Sequence, residues 1–333
     1  MKYFGKILSL LKKMRNPAYF VYQFYHYIKC DVPFVIAQYI SHKNKNSLAD
    51  KGIVFKTYDG SDQACHPDMT VFNKKFWITM TPYPYGMDEY ENPIVYCGEK
   101  FEDLLRQVCK PLDTPTIREY GYHLSDPCIA ETGQSLMLLY RESRRNKKTH
   151  TDTNTLYLCQ YDAVTDQWKS SETLSSSDEM QFLSPAIINC GERTYCYFAE
   201  FEKGQLLLSE IKDCKLTEPK EIKVLGMPLN YYVWHLTIAY KLNKVKYSEN
   251  DSALAGVFLV RSKDNRNHFK LVLASSEGIG RDWEISEEIS IPDSIKDMVK
   301  IVYKSAFLPF TEDVLISYRD KSDRYCFIKA GRD

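Results

Sequence analysis

The stretch ACHPDMTVFNKKFWITMTPYPYGMDEYENPIV, from Ala64 to Val95, sets His66, Asp68 and Glu91 among proline-bounded apolar runs. Imidazoles and carboxylates are the side chains that move protons at ordinary pH. Three similar points follow. Asp126 stands in SDP, Ser184 in LSP, and His235 opens the apolar part of WHLTIAY. Arg141, in LLYRES, comes at the end of the run after Asp126 and is a candidate fork for a phosphate or carboxylate. Lys304 and Arg319 are further candidate cations, and Glu200, in YFAEF, a further carboxylate. Tyr83, Tyr85 and Trp234 offer aromatic faces that suit either packing or a sugar ring. Taken together, these residues suit proton transfer beside a polar or anionic substrate, with His66 or Asp126 as base.

Side chains so far apart in sequence need a scaffold that repeats. From Gly52 onward the chain is a series of short β-runs at all-β spacing. Strand-opening segments recur as HPDMTVF, SDPCIAE, SPAIINC, WHLTIAY and VYKSAFLPF. Each leads to a second apolar run (KFWITMT, SLMLLYRES, RTYCYFAEF, SALAGVFLV, DVLISYR) and then a third (NPIVYCG, TLYLCQYD, QLLLSEI, FKLVLASS, RYCFIKA). A unit of about 50–70 residues, repeated five times, predicts a five-bladed β-propeller. The fifth unit is one strand short. The isolated run GIVFKTYDG is therefore expected to pair near Tyr325–Lys329 and close the ring. In such a fold the first strand of each blade lines the channel, where a proline is tolerated. The residue before each proline is expected to be extended.

Residues 1–50 read differently. They carry a net charge of +6 against −6 for the remainder, with Tyr3, Phe4, Ile7, Leu8, Leu11 and Met14 at helical spacing. This predicts an N-terminal amphipathic helical segment ahead of a propeller domain at 51–333. Residues 1–45 would either contact an anionic membrane or pack on a partner or the main domain. The neutral total charge gives no sign of nucleic-acid binding. There is no signal-peptide pattern and no run long enough to span a bilayer. Ten cysteines without a framework, with Cys159, Cys196 and Cys326 in apolar runs, read as reduced core residues. These features predict a cytoplasmic protein, peripheral on the inner membrane through its basic end.

The segments HPDMTVF, KFWITMTPYP, ENPIV, YHLSDPCIAE, LLYRES, FLSPAII and WHLTIAY resemble the five-bladed propeller carbohydrate-active enzymes. That superfamily includes glycoside hydrolase family 43 and its arabinanase, fructosidase and anhydro-galactosidase relatives. The resemblance covers about residues 52–330. It implies a sugar site at the channel mouth, built on acidic residues of the first three blades, two carboxyls of unequal acidity being the need of glycosidases. Asp126 matches the second-blade aspartate. His66 stands at the first-blade aspartate position, and the third blade opens with Ser184 in place of an acid.

An activated sugar phosphate needs cations more than a general acid. The expected function is therefore a glycosyltransferase of surface-polysaccharide assembly. It would move a furanosyl unit, such as phosphoribosyl from its pyrophosphate, onto a glycan acceptor. Asp126, Glu91 and His66 are its candidate catalytic residues. Asp68, Arg141, Tyr83, Glu200, Trp234, His235, Lys304 and Arg319 are its candidate substrate contacts. Two alternatives stand beside it. One is an intracellular glycoside hydrolase using Asp126 with Glu91, Asp68 or Glu200. The other is a non-catalytic glycan-binding propeller. No cofactor is expected from a motif. The seven histidines show no metal-ligand spacing, and a single divalent ion in the channel is left open.

Overall fold

The computed structural model describes residues 53–331 apart from 59, 84–90, 108–121, 134, 146–150, 201, 242–252, 266, 310, 312, 322 and 323. The expected N-terminal helical segment, its membrane contact and Tyr85 lie outside the described residues. No helix among the described residues is long and apolar enough to cross a membrane.

The strands form five antiparallel-cored sheets, one per predicted unit. Inner strands run Ala64–Phe72, Tyr122–Glu131, Leu183–Cys190 and Tyr231–Tyr240 in blades 1 to 4. In blade 5 the inner strand is broken into Val299–Val302 and Ala306–Phe307. Neighbouring inner strands touch in order, and blade 5 meets both blade 4 and blade 1, so the sheets form a ring. Middle strands such as Arg193–Glu200 and Leu254–Ser262 are buried along almost their whole length. Each face of a middle strand meets an adjacent blade, which explains continuous apolar runs where a half-exposed strand would alternate.

The core lies between blades. Trp77, Ile129 and Tyr161 join blades 1 and 2. Leu139, Phe182 and Phe198 join 2 and 3. Tyr197, Phe258 and Trp283 join 3 and 4. Val257, Leu273 and Tyr318 join 4 and 5. Phe55, Ile78, Tyr96, Leu315 and Phe327 join 5 and 1.

The ring closes as the short fifth unit predicts. Ile53 pairs antiparallel with Phe327, its N–H donating to the Phe327 carbonyl at 2.7 Å and its carbonyl accepting at 3.1 Å. Phe55 then meets Phe327 edge-on, ring centres 5.1 Å apart. The Tyr96 hydroxyl of blade 1 donates to the Lys56 carbonyl. The eight described cysteines are free, and Cys159, Cys196 and Cys326 are buried.

Candidate functional site

In blades 1 to 3 the strand register breaks at the X-Pro pair, where two residues face one on the middle strand. A proline has no N–H to give the ladder, and a bulge removes that demand. The residues before the prolines are not extended. His66, Asp126 and Ser184 have φ of 55°, 53° and 50°. Proline disfavours the right-handed helical region for its predecessor, and these three adopt the left-handed one instead. Such backbone costs on the order of 1–3 kcal/mol per residue and marks positions that the surroundings over-determine. It turns the side chain off the strand's alternation. In blade 4 the extra residue is Trp234, so His235 takes the register position that proline holds elsewhere.

Three of these four bulges, those of blades 1, 2 and 4, bring their side chains to one point. Asp126 Oδ1 lies 3.5 Å from His66 Nδ1 and 3.6 Å from His235 Nδ1. Glu91 Oε1 stands 3.6 Å from the same His66 nitrogen. The two imidazole centres are 4.9 Å apart. His66, Glu91, Asp126 and His235 are all buried. Arg141 approaches from the middle strand of blade 2, its Nη2 at 3.3 Å from Asp126 Oδ2. It also donates to Ser125 Oγ at 3.1 Å and to Asn154 Oδ1 at 3.3 Å.

Burial pushes the His66 imidazole down to about 4, the nearby Asp126 charge opposing this only in part. Burial likewise drives His235 well below the ordinary histidine value. For Asp126, burial alone would favour the acid, but the flanking basic side chains outweigh it and hold the carboxyl well below its usual range. Arg141 and Lys304 carry the positive charge among them when the imidazoles are neutral. At neutral pH the centre is thus two neutral imidazoles facing one carboxylate.

Other candidates have structural tasks. Asp68 accepts from the backbone N–H of Met69 at 3.2 Å and of Ile129 at 3.0 Å, tying blade 1 to blade 2. Lys304 is wholly buried and donates to the Pro127 carbonyl at 2.8 Å, with Asp68 Oδ2 4.0 Å away. Its ammonium therefore fixes the backbone beside Asp126 and does not wait for a phosphate. Arg141 is engaged in the same sense. Ser184 Oγ accepts from the Leu236 N–H at 3.1 Å and joins blade 3 to blade 4. Glu200 accepts from the Gln181 N–H at 2.7 Å, and burial raises its carboxyl above the usual value. Arg319 sits 5.8 Å from the centre of the Tyr325 ring.

An aromatic wall adjoins the cluster. Trp234 and His235 have ring centres 4.4 Å apart, and Arg261 covers the Trp234 ring at 4.0 Å. Tyr83 stacks on His66 at 6.3 Å, and Tyr303 meets it edge-on at 5.7 Å. Tyr303 and Tyr325 escaped the sequence reading. The signal for Tyr303 was present in VYKSAF, the fifth strand-opening segment, whose break places Tyr303 beside the channel. A cavity of 740 Å³ occupies the opposite ends of the inner strands, near Thr70, Ala130, Asn189, Ala239 and Leu308. It lacks a convergent set of imidazoles and carboxylates, so the chemistry lies with the cluster.

No family profile matches the sequence, and no curated protein matches it. Solved structures do. An N-acetylgalactosamine deacetylase from F. plautii, in complex with blood group B trisaccharide, is 16% identical with a TM-score of 0.61, over 84% of this chain and 93% of that one. An α-L-arabinofuranosidase from Lactobacillus brevis is 9% identical with a TM-score of 0.59, over 80% and 90%. A family 43 endo-arabinanase from Bacillus licheniformis is 12% identical with a TM-score of 0.53, over 84% and 94%. These relatives overturn the expectation of a glycosyltransferase fed by phosphoribosyl pyrophosphate, because they are hydrolases. Its physical premise fails as well, since Arg141 and Lys304, two of the cations assigned to the donor phosphate, are bound within the protein. At such identities the likeness is one of fold: this chain has the five-bladed propeller fold of the glycoside hydrolase family 43 enzymes.

Proposed function

We propose that the chain is a carbohydrate hydrolase working at the channel mouth, and that it removes an acyl group, such as acetyl, from a sugar. The observation that carries this reading is the convergence of His66, Asp126 and His235 from three blades, with two neutral imidazoles facing an ionised carboxylate. Such a centre activates water. It has no acid at the first- and third-blade positions that open HPD and SPA, which hold His66 and Ser184. A sugar–sugar bond has a poor leaving group and needs a positioned acid. An amide or ester carbonyl instead needs an activated water and a proton for the departing nitrogen or oxygen. The deacetylase of similar fold supports the acyl reading.

In this reaction the water oxygen bonds to the acyl carbon and the carbon–nitrogen or carbon–oxygen bond breaks. The departing sugar amine or hydroxyl takes up a proton, and the carboxylate product keeps the water oxygen. Trp234, Tyr83 and Tyr303 would present ring faces to the sugar. Arg141 and Lys304 would hold Asp126 and its backbone in place.

One observation favours a second reading, glycosidic hydrolysis: Glu91 and Asp126 flank the same His66 nitrogen, which gives two carboxyls near one point. The assay separates the two. Incubation with N- and O-acetylated mono- and oligosaccharides and with aryl furanosides and pyranosides is followed by acetate and by aglycone release. Acetate release supports the first reading and aglycone release the second. Release of neither across the panel would overturn both.

A further inference from the structure

We infer that His66, Asp126 and His235 form a binding site for one divalent transition-metal ion. The inference rests on the hydrolase reading for the ion's use, but not for its binding.

Buried atoms of all three residues lack partners. His66 Nδ1 and Nε2, His235 Nδ1 and Nε2, and Asp126 Oδ1 are buried and make no hydrogen bond. Leaving a buried polar atom unsatisfied is costly, and three of these, one from each residue, meet at one point. Native interiors rarely keep such a set without something to satisfy it. These atoms also converge. One donor atom from each of the three residues lies within 4.8 Å of the other two. Ligands about 2.0–2.2 Å from a tetrahedral ion are separated by about 3.4 Å. The two separations to Asp126 Oδ1, 3.5 and 3.6 Å, match that geometry.

The surroundings fit as well. Ligating histidines must be neutral, and burial keeps both so. The second Asp126 oxygen is held by Arg141 at 3.3 Å, which orients the first toward the imidazoles. Two imidazoles and one carboxylate suit zinc, manganese or iron better than calcium or magnesium, which prefer all-oxygen sets. Three protein ligands leave a coordination position for water or a carbonyl oxygen. An ion there would polarise whichever group it holds. Glu91 lies outside this triad but beside His66, placed to accept a proton. The left-handed backbone at His66 and Asp126 gains a purpose too, because it aims both side chains at one centre.

The test is direct metal binding to the full chain. Protein stripped with chelator and dialysed is titrated with Zn²⁺ and with Mn²⁺ by calorimetry, and bound metal is counted by mass spectrometry. Wild type should bind one equivalent, and Co²⁺ should give the visible absorption of a low-coordinate nitrogen–oxygen site. His235→Ala and Asp126→Asn should each weaken binding by about 100-fold or more, given that loss of an outer-shell partner alone costs 10–100-fold. His268→Gln, at an exposed histidine, should leave it unchanged. His235→Gln, with circular dichroism on every variant, guards against a folding artefact. Wild type that takes up no stoichiometric ion, or folded variants that bind as tightly as wild type, would overturn the site. Metal-free turnover at the full rate would overturn the ion's use in the reaction and leave the hydrolase reading standing. Stoichiometric binding without hydrolysis of any substrate would do the reverse.

Discussion

Lys304 and Asp68 are the perturbation that best isolates what holds the cluster in place. Both are buried, and their charged atoms are 4.0 Å apart. At an effective dielectric of about 20 their attraction is about 4 kcal/mol. Lys304→Met removes the ammonium, leaves the Pro127 carbonyl without its donor at 2.8 Å, and strands the Asp68 charge in the interior. Breaking a buried pair from one side costs about 3–5 kcal/mol. Asp68→Asn breaks the pair from the other side and keeps only one of the two backbone bonds, because Met69 and Ile129 N–H donate to different Asp68 oxygens and an amide has one acceptor oxygen; about 3–5 kcal/mol is expected here too. In the double variant no uncompensated charge remains. Its loss should fall short of the sum of the single losses by about 1–3 kcal/mol. Urea unfolding of the four proteins, with a common slope, gives the cycle directly. A coupling energy under about 0.5 kcal/mol, within the usual additivity of independent sites, would show that the pair does not act as a pair.

Two further outcomes follow from the same structure. The His66 imidazole sits below its ordinary value when folded, so the unfolded chain takes up the proton first and stability falls as pH drops from 6.5 toward 4. In chelated protein His66 alone should remove about 2 kcal/mol between about pH 7.5 and pH 5, with His235 adding in the same direction, and urea midpoints unchanged over that range would contradict the neutral-imidazole assignment. Phe55→Ala should destabilise by about 3–5 kcal/mol through loss of the closure contacts with Phe327, whereas Val164→Ala, at an exposed turn, should change stability by under about 0.5 kcal/mol; equal effects would refute ring closure by residues 53–55.

The blades were legible because each has its own signature. Middle strands with both faces covered read as unbroken apolar runs, and X-Pro pairs mark where three of the inner strands bulge. The missing strand of the fifth unit was legible for the same reason, since a three-strand count left one edge open. His66, Glu91, Asp126 and His235 could be singled out as polar residues at or near strand openings, and Arg141 as a cation at the end of the run after Asp126. What they do could not. The left-handed backbone before each proline runs against the usual preference of that position, and it decides where His66 and Asp126 point. The burial of Lys304 depends on the break in the fifth inner strand, which leaves its run looking like any other. Arg141 read as an open fork because sequence does not show that Ser125, Asn154 and Asp126 already surround it. Ser184 read as a missing acid, and its task, bridging to Leu236 of the next blade, is visible only once the blades are side by side.

We propose that this propeller cuts a carbohydrate derivative with water, at the point where His66, Asp126 and His235 meet. It is tested most directly by running the reaction in H₂¹⁸O on an acetylated sugar and weighing the released acetate by mass spectrometry, with wild type and Asp126→Asn in parallel. Wild type should give acetate carrying one ¹⁸O, and Asp126→Asn should form it about 10²-fold more slowly or worse, the scale on which a proton-transfer group is lost. Acetate that carries no label, or an Asp126→Asn variant that forms labelled acetate at the wild-type rate, would contradict it.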